Sequence, residues 1–222
     1  MPQVTLQDWI QNIQAGAIGS FPTDTVPALA ALPDAADRIY SIKARSTEKP
    51  LILMAGHCED LWPYLDTTDP DAVQQWRSMM DRYFPGALTL VLPKSDRPEL
   101  LKMNPTASHS ISNNISNTIG VRVPNHTFAR HLLTQTGPLA TTSVNRSGEP
   151  ALLKLSDIRS HFPQLYTLSD QALQPYISDP HAPAIGTPST VIQWTAPGWK
   201  ILRQGKVVFS ETEQQFYGIT SI

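Results

Sequence analysis

Three polar clusters in this chain sit at the ends of apolar runs. Thr23-Asp24-Thr25 follows AIGSFP (17–22), Ser143 and Asn145 with Ser147-Gly148 follow PLATT (138–142), and Ser189-Thr190 open STVIQW (189–194). In open α/β sheets ligands bind beyond the carboxyl ends of strands, where short hydroxyl and amide side chains hold phosphates, carboxylates and amino groups. The same side chains cap turns, and that role satisfies any one cluster taken alone.

Cations form the second set. Lys43-Ala44-Arg45 closes a helix predicted to start near Asp34. Positive charge there complements the helix dipole; as an anion clamp, Lys43 would act as a compact point charge and Arg45 as a bidentate fork. Arg122 lies inside the apolar strand IGVRVP (119–124). A charge between Val121 and Val123 needs a partner or must line a cavity, and a ligand carboxylate is one such partner. Arg203 follows the strand WKIL (199–202) in a similar way.

Several chemistries are absent. The sequence contains no G-x-x-x-x-G-K-[ST], no G-x-G-x-x-G and no G-x-S-x-G, so no phosphate-binding loop, dinucleotide fingerprint or nucleophile elbow. His126 and His131 are five residues apart, not at the i, i+4 spacing of a helical zinc pair, and no metal ligand set is assigned. Cys58, the single cysteine, reads as a packed thiol and excludes an intramolecular disulfide. Net charge is −2 over 222 residues, without the basic excess of a dedicated nucleic-acid binder. The N-terminus lacks the basic start and apolar core of a signal peptide, and no apolar run approaches the ~20 residues of a membrane helix, so a cytoplasmic location is expected.

The elements that must position these residues alternate along the chain. Helices are expected at 5–15, from Asp34 as a cap to about Ile42, at 70–84 with Val73, Trp76, Met79, Met80 and Tyr83 as its apolar stripe, and from about His126 to Thr134. Strands are expected at 17–22, 51–55, 88–92, 119–124, 138–142, 189–194 and 199–202, with polar loops at 104–117 and 145–150. This alternation predicts an α/β fold: one domain over 1–208 with a twisted, largely parallel or mixed sheet and flanking helices, and a short extension over 209–222.

The stretches FPTDTV (21–26), IYSIKAR (39–45), KPLIL (49–53), FPGALTLVL (84–92), IGVRVPNH (119–126), TSVNRSG (142–148), STVI (189–192) and ILRQG (201–205) occur in the order and at the spacing found in the threonylcarbamoyl-AMP synthases. The chain resembles these YrdC-like enzymes over about residues 5–208. The resemblance implies a single YrdC-like domain with a concave, basic active site that condenses L-threonine, bicarbonate and ATP. It places Thr25, Arg122 and Ser189 on threonine, and Lys43 and Arg45 as catalytic cations on the phosphates. Thr118, Thr141, Ser143, Asn145 and Arg203 would help hold ATP. Mg²⁺ would arrive with ATP rather than sit in a protein cage, and the product would pass to a tRNA-modifying transferase complex. A YrdC-like module that binds nucleotide or double-stranded RNA, with little turnover, is the alternative, and weak RNA binding is compatible with either. Two departures stand out. Pro27 and Ala28 replace the tyrosine and glycine of T-[DE]-T-V-Y-G-L, and Met54 stands near a position often held by histidine.

Overall fold

The computed structural model describes residues 3–46, 49–103, 117–177, 184, 186–196 and 198–220. The polar stretch read as a loop at 104–117 lies outside them except for Asn117.

Along the chain come β1 (Gln3–Val4), α1 (Leu6–Gln14), β2 (Gly19–Phe21), β3 (Ala28–Ala31), α2 (Asp37–Lys43), β4 (Ile52–Met54), α3 (Pro70–Tyr83) and β5 (Leu88–Pro93). Next are α4 (Glu99–Met103), β6 (Thr118–Arg122), α5 (Thr127–Thr136), β7 (Leu139–Ser143), α6 (Leu155–His161) and β8 (Tyr166–Leu168). The chain continues with α7 (Asp170–Leu173), β9 (Thr190–Trp194), β10 (Trp199–Arg203), α8 (Glu211–Tyr217) and β11 (Ile219–Thr220). All the strands join one sheet in the order β1-β8-β2-β3-β7-β4-β6-β5-β9-β10-β11. Pairing is mixed: β4 runs parallel to β6 and β5 to β9, whereas β3–β7, β4–β7 and β5–β6 are antiparallel.

Local sequence explains the clearer elements. Thr5 caps α1 by accepting from the Asp8 amide, and Asp69 caps α3 by accepting from Asp71 and Ala72; such caps are each worth about 1 kcal/mol. In α3 the spacing of Trp76, Met79 and Met80 puts all three in the core. Gly19 is fixed by a close approach, because a Cβ there would sit 2.5 Å from the Trp9 ring. That contact lets the indole reach the Tyr166 carbonyl at 3.0 Å.

The region after Leu32 differs from the sequence reading. Pro33–Ala35 form a short 3₁₀ turn, and α2 begins at Asp37 behind Ala36, which has no side-chain cap. Asp34 is therefore not the cap of this helix: it lies inside the 3₁₀ turn, which Pro33 opens four residues before the helix begins. Beyond residue 208, β11 pairs with β10, Phe209 and Ile219 are buried, and Tyr83 donates to Glu213 of α8 at 2.6 Å.

The two faces of the sheet are covered unequally. Leu53, Leu88, Leu90, Leu92, Val121 and Ile192 pack on one face with Ile39 of α2 and Trp76, Met79 and Met80 of α3. On the other face Ala28, Ala30, Met54 and Leu139 pack with Trp9 and Ile13 of α1 and with Phe128, Leu132 and Leu133 of α5. No described residue of β5, β6 or β9 joins that second cluster. Their side chains on this face line a cavity instead.

Candidate active site

The cavity measures about 580 Å³, within the ~300–1,000 Å³ typical of small-molecule sites. Its floor is made by strand alternation. Thr118, Gly120 and Arg122 of β6, Thr89 and Val91 of β5, Val191 and Gln193 of β9, and Thr141 and Ser143 of β7 all reach it. Ile119 and Val121, one residue out of phase, enter the core. The same period of two puts Arg122 on the cavity side although its neighbours Val121 and Val123 are buried and apolar.

At one end Arg122 is held by three hydrogen bonds. Its Nε donates to the Gly86 carbonyl at 2.9 Å, one terminal nitrogen to Thr25 Oγ1 at 2.8 Å, and the other to Asp24 Oδ1 at 2.6 Å. The turn bearing Thr25 is fixed by Thr23, whose hydroxyl accepts from the Thr25 amide at 3.2 Å and donates to the Val26 carbonyl at 2.8 Å. Burial disfavours the Arg122 cation, and Asp24 opposes that effect.

Ser189 stands nearby, its hydroxyl 2.9 Å from Thr89 Oγ1. Arg203 donates to the Ser189 carbonyl at 2.8 Å and to its hydroxyl at 3.2 Å. Gly205 permits this arrangement, since a Cβ there would lie 2.4 Å from the Pro188 carbonyl oxygen. Its amide donates to Thr190 Oγ1 at 2.9 Å, which anchors the entry into β9.

At the other end Lys43 and Arg45 diverge. Ala44, in the left-handed conformation at φ 48°, ends α2 and turns the chain. Arg45 lines the cavity, with its guanidinium on the carbonyls of Lys49 and Pro50. Lys43 is fully buried beneath the floor and donates to the Ser143 carbonyl and, at 2.9 Å, to Asn145 Oδ1. Burial first, and then Arg45, push its ammonium down to about 7. Ser143 donates to the same Asn145 oxygen at 2.6 Å, and the Asn145 amide donates to the carbonyls of Arg146 and Glu149, each at 2.7 Å. The charged ammonium can only donate, and the Asn145 amide nitrogen is taken by the two carbonyls, so the Asn145 oxygen faces Lys43.

The residues singled out from sequence thus converge. Thr25, Arg45, Thr118, Arg122, Thr141, Ser143, Asn145, Ser189 and Arg203 all line one cavity. Lys43 does not: among the described residues its ammonium is hydrogen-bonded to the lining residues Ser143 and Asn145. Thr141 donates to the Ile52 carbonyl at 3.0 Å. Pro27, Ala28 and Met54 also line the cavity, with Ala28 paired to Ser143 in β3–β7 and not at positive φ. Sequence reasoning missed Thr89, Gln193 and Glu149. Thr89 alternates with Leu88 and Leu90, and that alternation was a usable signal. Among the described lining residues Glu149 is the sole carboxylate.

Elsewhere His126 caps α5 by accepting from the Ala129 amide at 3.3 Å, and His131 stacks on Tyr176. Burial, chiefly, pushes the Cys58 thiol up to about 11, unlike an activated nucleophile. Among the described residues no helix is long and apolar enough to cross a membrane, and no group of three or more His, Cys, Asp or Glu side chains is arranged to hold a metal.

Comparison with known proteins adds a relationship. The Sua5–YciO–YrdC family model, described as "telomere recombination", matches residues 11–205. The chain is 31% identical over 218 residues to the threonylcarbamoyl-AMP synthase of Mus musculus, covering 95% of this chain and 71% of that one. It is 33% identical over 175 residues to the threonylcarbamoyl-AMP synthase of Chromohalobacter salexigens, covering 77% and 87% respectively. In structure it is similar to P. abyssi Sua5 crystallised with L-threonine, with a TM-score of 0.76 at 26% identity over 97% of this chain. The chain spans 58% of the length of that protein.

Proposed function

The chain belongs to the Sua5–YciO–YrdC family, and from that premise we propose that it is a threonylcarbamoyl-AMP synthase. It converts L-threonine, bicarbonate and ATP into pyrophosphate, water and L-threonylcarbamoyl-AMP, the activated intermediate for modifying an adenosine of tRNA. The observation that carries this reading is the single cavity in which Thr25, Arg122 and Ser189 stand opposite Arg45, Ser143 and Asn145.

The amine of threonine attacks the bicarbonate carbon and water leaves, giving a carbamate, whose oxygen then attacks the α-phosphorus of ATP as pyrophosphate leaves. Bicarbonate, carbamate and ATP are all anions, so mutual repulsion is the main obstacle. Arg122 and Thr25 take the threonine carboxylate and Ser189 steadies the same substrate. Arg45 and Arg203 face the nucleotide, and Thr118, Thr141, Ser143 and Asn145 complete its cradle. Lys43 acts from below, by fixing Ser143 and Asn145. No protein nucleophile enters; the site works by positioning and by placing fixed positive charge where negative charge builds up.

Mg²⁺ is implied by the chemistry of ATP. A cavity with the single carboxylate Glu149 among its described lining residues fits an ion carried mainly by the phosphates, as Mg²⁺ commonly is. Bound there, it would neutralise phosphate charge. The product passes to a tRNA-modifying transferase, and the reaction belongs in the cytoplasm. The decisive experiment mixes the protein with ATP, Mg²⁺, bicarbonate and each amino acid, and measures pyrophosphate. Release should require both threonine and bicarbonate; equal release without threonine leaves a plain ATPase and rejects the synthase.

The departure at Pro27 predicts a specificity change. Proline fixes φ near −65° and brings to the cavity wall a side chain smaller than tyrosine's, with no aromatic ring beside Thr25. One missing apolar contact is worth about 1–3 kcal/mol, or ~10–200-fold in selectivity. Serine should therefore be used measurably, and Pro27→Tyr with Ala28→Gly should raise the threonine-to-serine ratio of kcat/KM. An unchanged ratio means that another residue forms this wall.

A further inference from the structure

Arg122 is one of the deepest charges in the molecule, its side chain 4% exposed, and the carboxylate that meets it belongs to Asp24, itself 10% exposed. Asp24 does not line the substrate cavity. It lines a separate cleft of about 630 Å³ together with Asn125, His126 and Lys206. Arg122 lies between the two, touching Asp24 behind and lining the cavity in front.

The hydrogen-bond count gives this placement a consequence. A guanidinium has five N–H donors in a fixed plane. Gly86, Thr25 and Asp24 take three of them, one from each nitrogen. Two donors remain, one on each terminal nitrogen. A carboxylate approaching those donors finds them aimed at it only if the plane is held in the right rotation. The Nε bond to Gly86 fixes the pivot and Thr25 Oγ1 fixes one arm. Thr25 Oγ1 is a neutral acceptor, also within 3.2 Å of Thr23 Oγ1, so the other arm depends on Asp24. Asp24 is in turn built into the loop, where its own carbonyl accepts from Lys206 at 3.3 Å. Its carboxylate supplies the one full negative charge hydrogen-bonded to Arg122 among the described residues, so it keeps a desolvated cation in place before any substrate arrives.

We propose that Asp24 is the positioning residue of the amino-acid site: it fixes the rotation of the Arg122 guanidinium, so that its remaining N–H groups are held ready for the substrate carboxylate. Asp24 does not touch substrate. The proposal rests on the synthase reading above, since threonine is the carboxylate it concerns.

The test uses the whole chain and the near-isosteric variant Asp24→Asn, which keeps shape and one acceptor but removes the charge. Threonine binding is measured by calorimetry in the presence of a non-hydrolysable ATP analogue. Binding of that analogue alone, turnover and melting temperature are measured alongside. The expected result is a threonine Kd raised at least tenfold, a matching rise in the threonine KM, kcat within about threefold of native and an unchanged analogue Kd. Asp24→Glu, which restores the charge at a different reach, should recover a large part of the threonine affinity. Should Asp24→Asn fail to fold, Asp24→Glu serves by itself, with a threonine Kd displaced severalfold and an unmoved analogue Kd expected. Threonine affinity within twofold of native in the folded variant overturns the proposal. So does a parallel loss of analogue affinity, because a general loosening of the fold would weaken both ligands. A native protein that binds no threonine overturns the synthase reading and this proposal together. Native binding with an indifferent Asp24→Asn overturns this proposal alone.

Discussion

Arg122→Ala is expected to lower kcat/KM for threonine by ~10²–10³ while leaving ATP affinity near its native value. Loss of one preorganised charged contact facing a reacting anion typically removes about 2.7–4 kcal/mol of transition-state stabilisation. The asymmetry between substrates follows from position: Arg122 shares its end of the cavity with Thr25, while Arg45, Ser143 and Asn145 hold the other. The substitution also leaves Asp24 as a mostly buried carboxylate without its partner. Breaking a buried pair from one side costs about 3–5 kcal/mol, a large part of the ~5–15 kcal/mol that holds a domain together. A loss of activity could then reflect unfolding, and a second variant separates the two effects. Arg122→Met combined with Asp24→Asn removes both charges and keeps volume, so it should fold better than Arg122→Ala and be no more active. Arg122→Lys keeps the charge but loses the planar fork, and its threonine kcat/KM should lie between those of native and alanine. Steady-state kinetics in each substrate, with melting temperatures, decide the matter. Near-native kcat/KM for threonine in a folded Arg122→Ala protein removes the residue from the site.

Arg122 also shows what sequence made legible. A charge inside IGVRVP contradicts its neighbours, and such a contradiction is visible in one dimension; strand alternation then resolves it by turning Arg122 away from Val121 and Val123. The helix 70–84 and the strand 88–92 were equally plain, because a 3.6-residue stripe and an apolar run both follow from burial. β3 was not: Ala28–Ala31 has no β-branched or aromatic residue, and it is a strand because β2 and β7 pair with it on both sides. β1, β8 and β11 are two or three residues long and draw their stability from partners distant in sequence. In the site, residue identities were legible and their partners were not. Asp24 stands beside Thr25 in the turn, yet its bond to Arg122 spans 98 positions. Lys43 and Arg45 read as a pair of like cations at a helix end. Their separation into one buried and one cavity-lining side chain depends on the left-handed turn at Ala44, which alanine disfavours and which tertiary packing imposes.

That separation gives the second large effect, at Lys43. Lys43→Met keeps most of the buried volume and removes the charge, and it is expected to lower kcat/KM by ~10²–10³, as loss of a preorganised cation does. The route is indirect. Without the ammonium, the Asn145 oxygen loses one of its two donors and the Ser143 carbonyl loses its Nζ bond, so the nucleotide end loosens and the ATP KM should rise more than the threonine KM. Proton balance distinguishes this from plain misfolding. Burial, and then Arg45, bring the ammonium down to about 7 in the folded protein, against 10.5 for a free lysine. Between those values the folded chain holds fewer protons than the unfolded one, so stability rises with pH across this window, and the full penalty of burying the cation is felt below 7. A bound polyanion has the opposite effect and draws the pKa back up. ATP binding near pH 8 should therefore take up a proton, seen as a calorimetric enthalpy that varies with the ionisation enthalpy of the buffer. In Lys43→Met this uptake should vanish, and the rise of stability between pH 7 and 10 should flatten. Equal proton uptake in native and variant proteins would mean that Lys43 does not change protonation when ATP binds, and would leave its effect on catalysis to geometry alone.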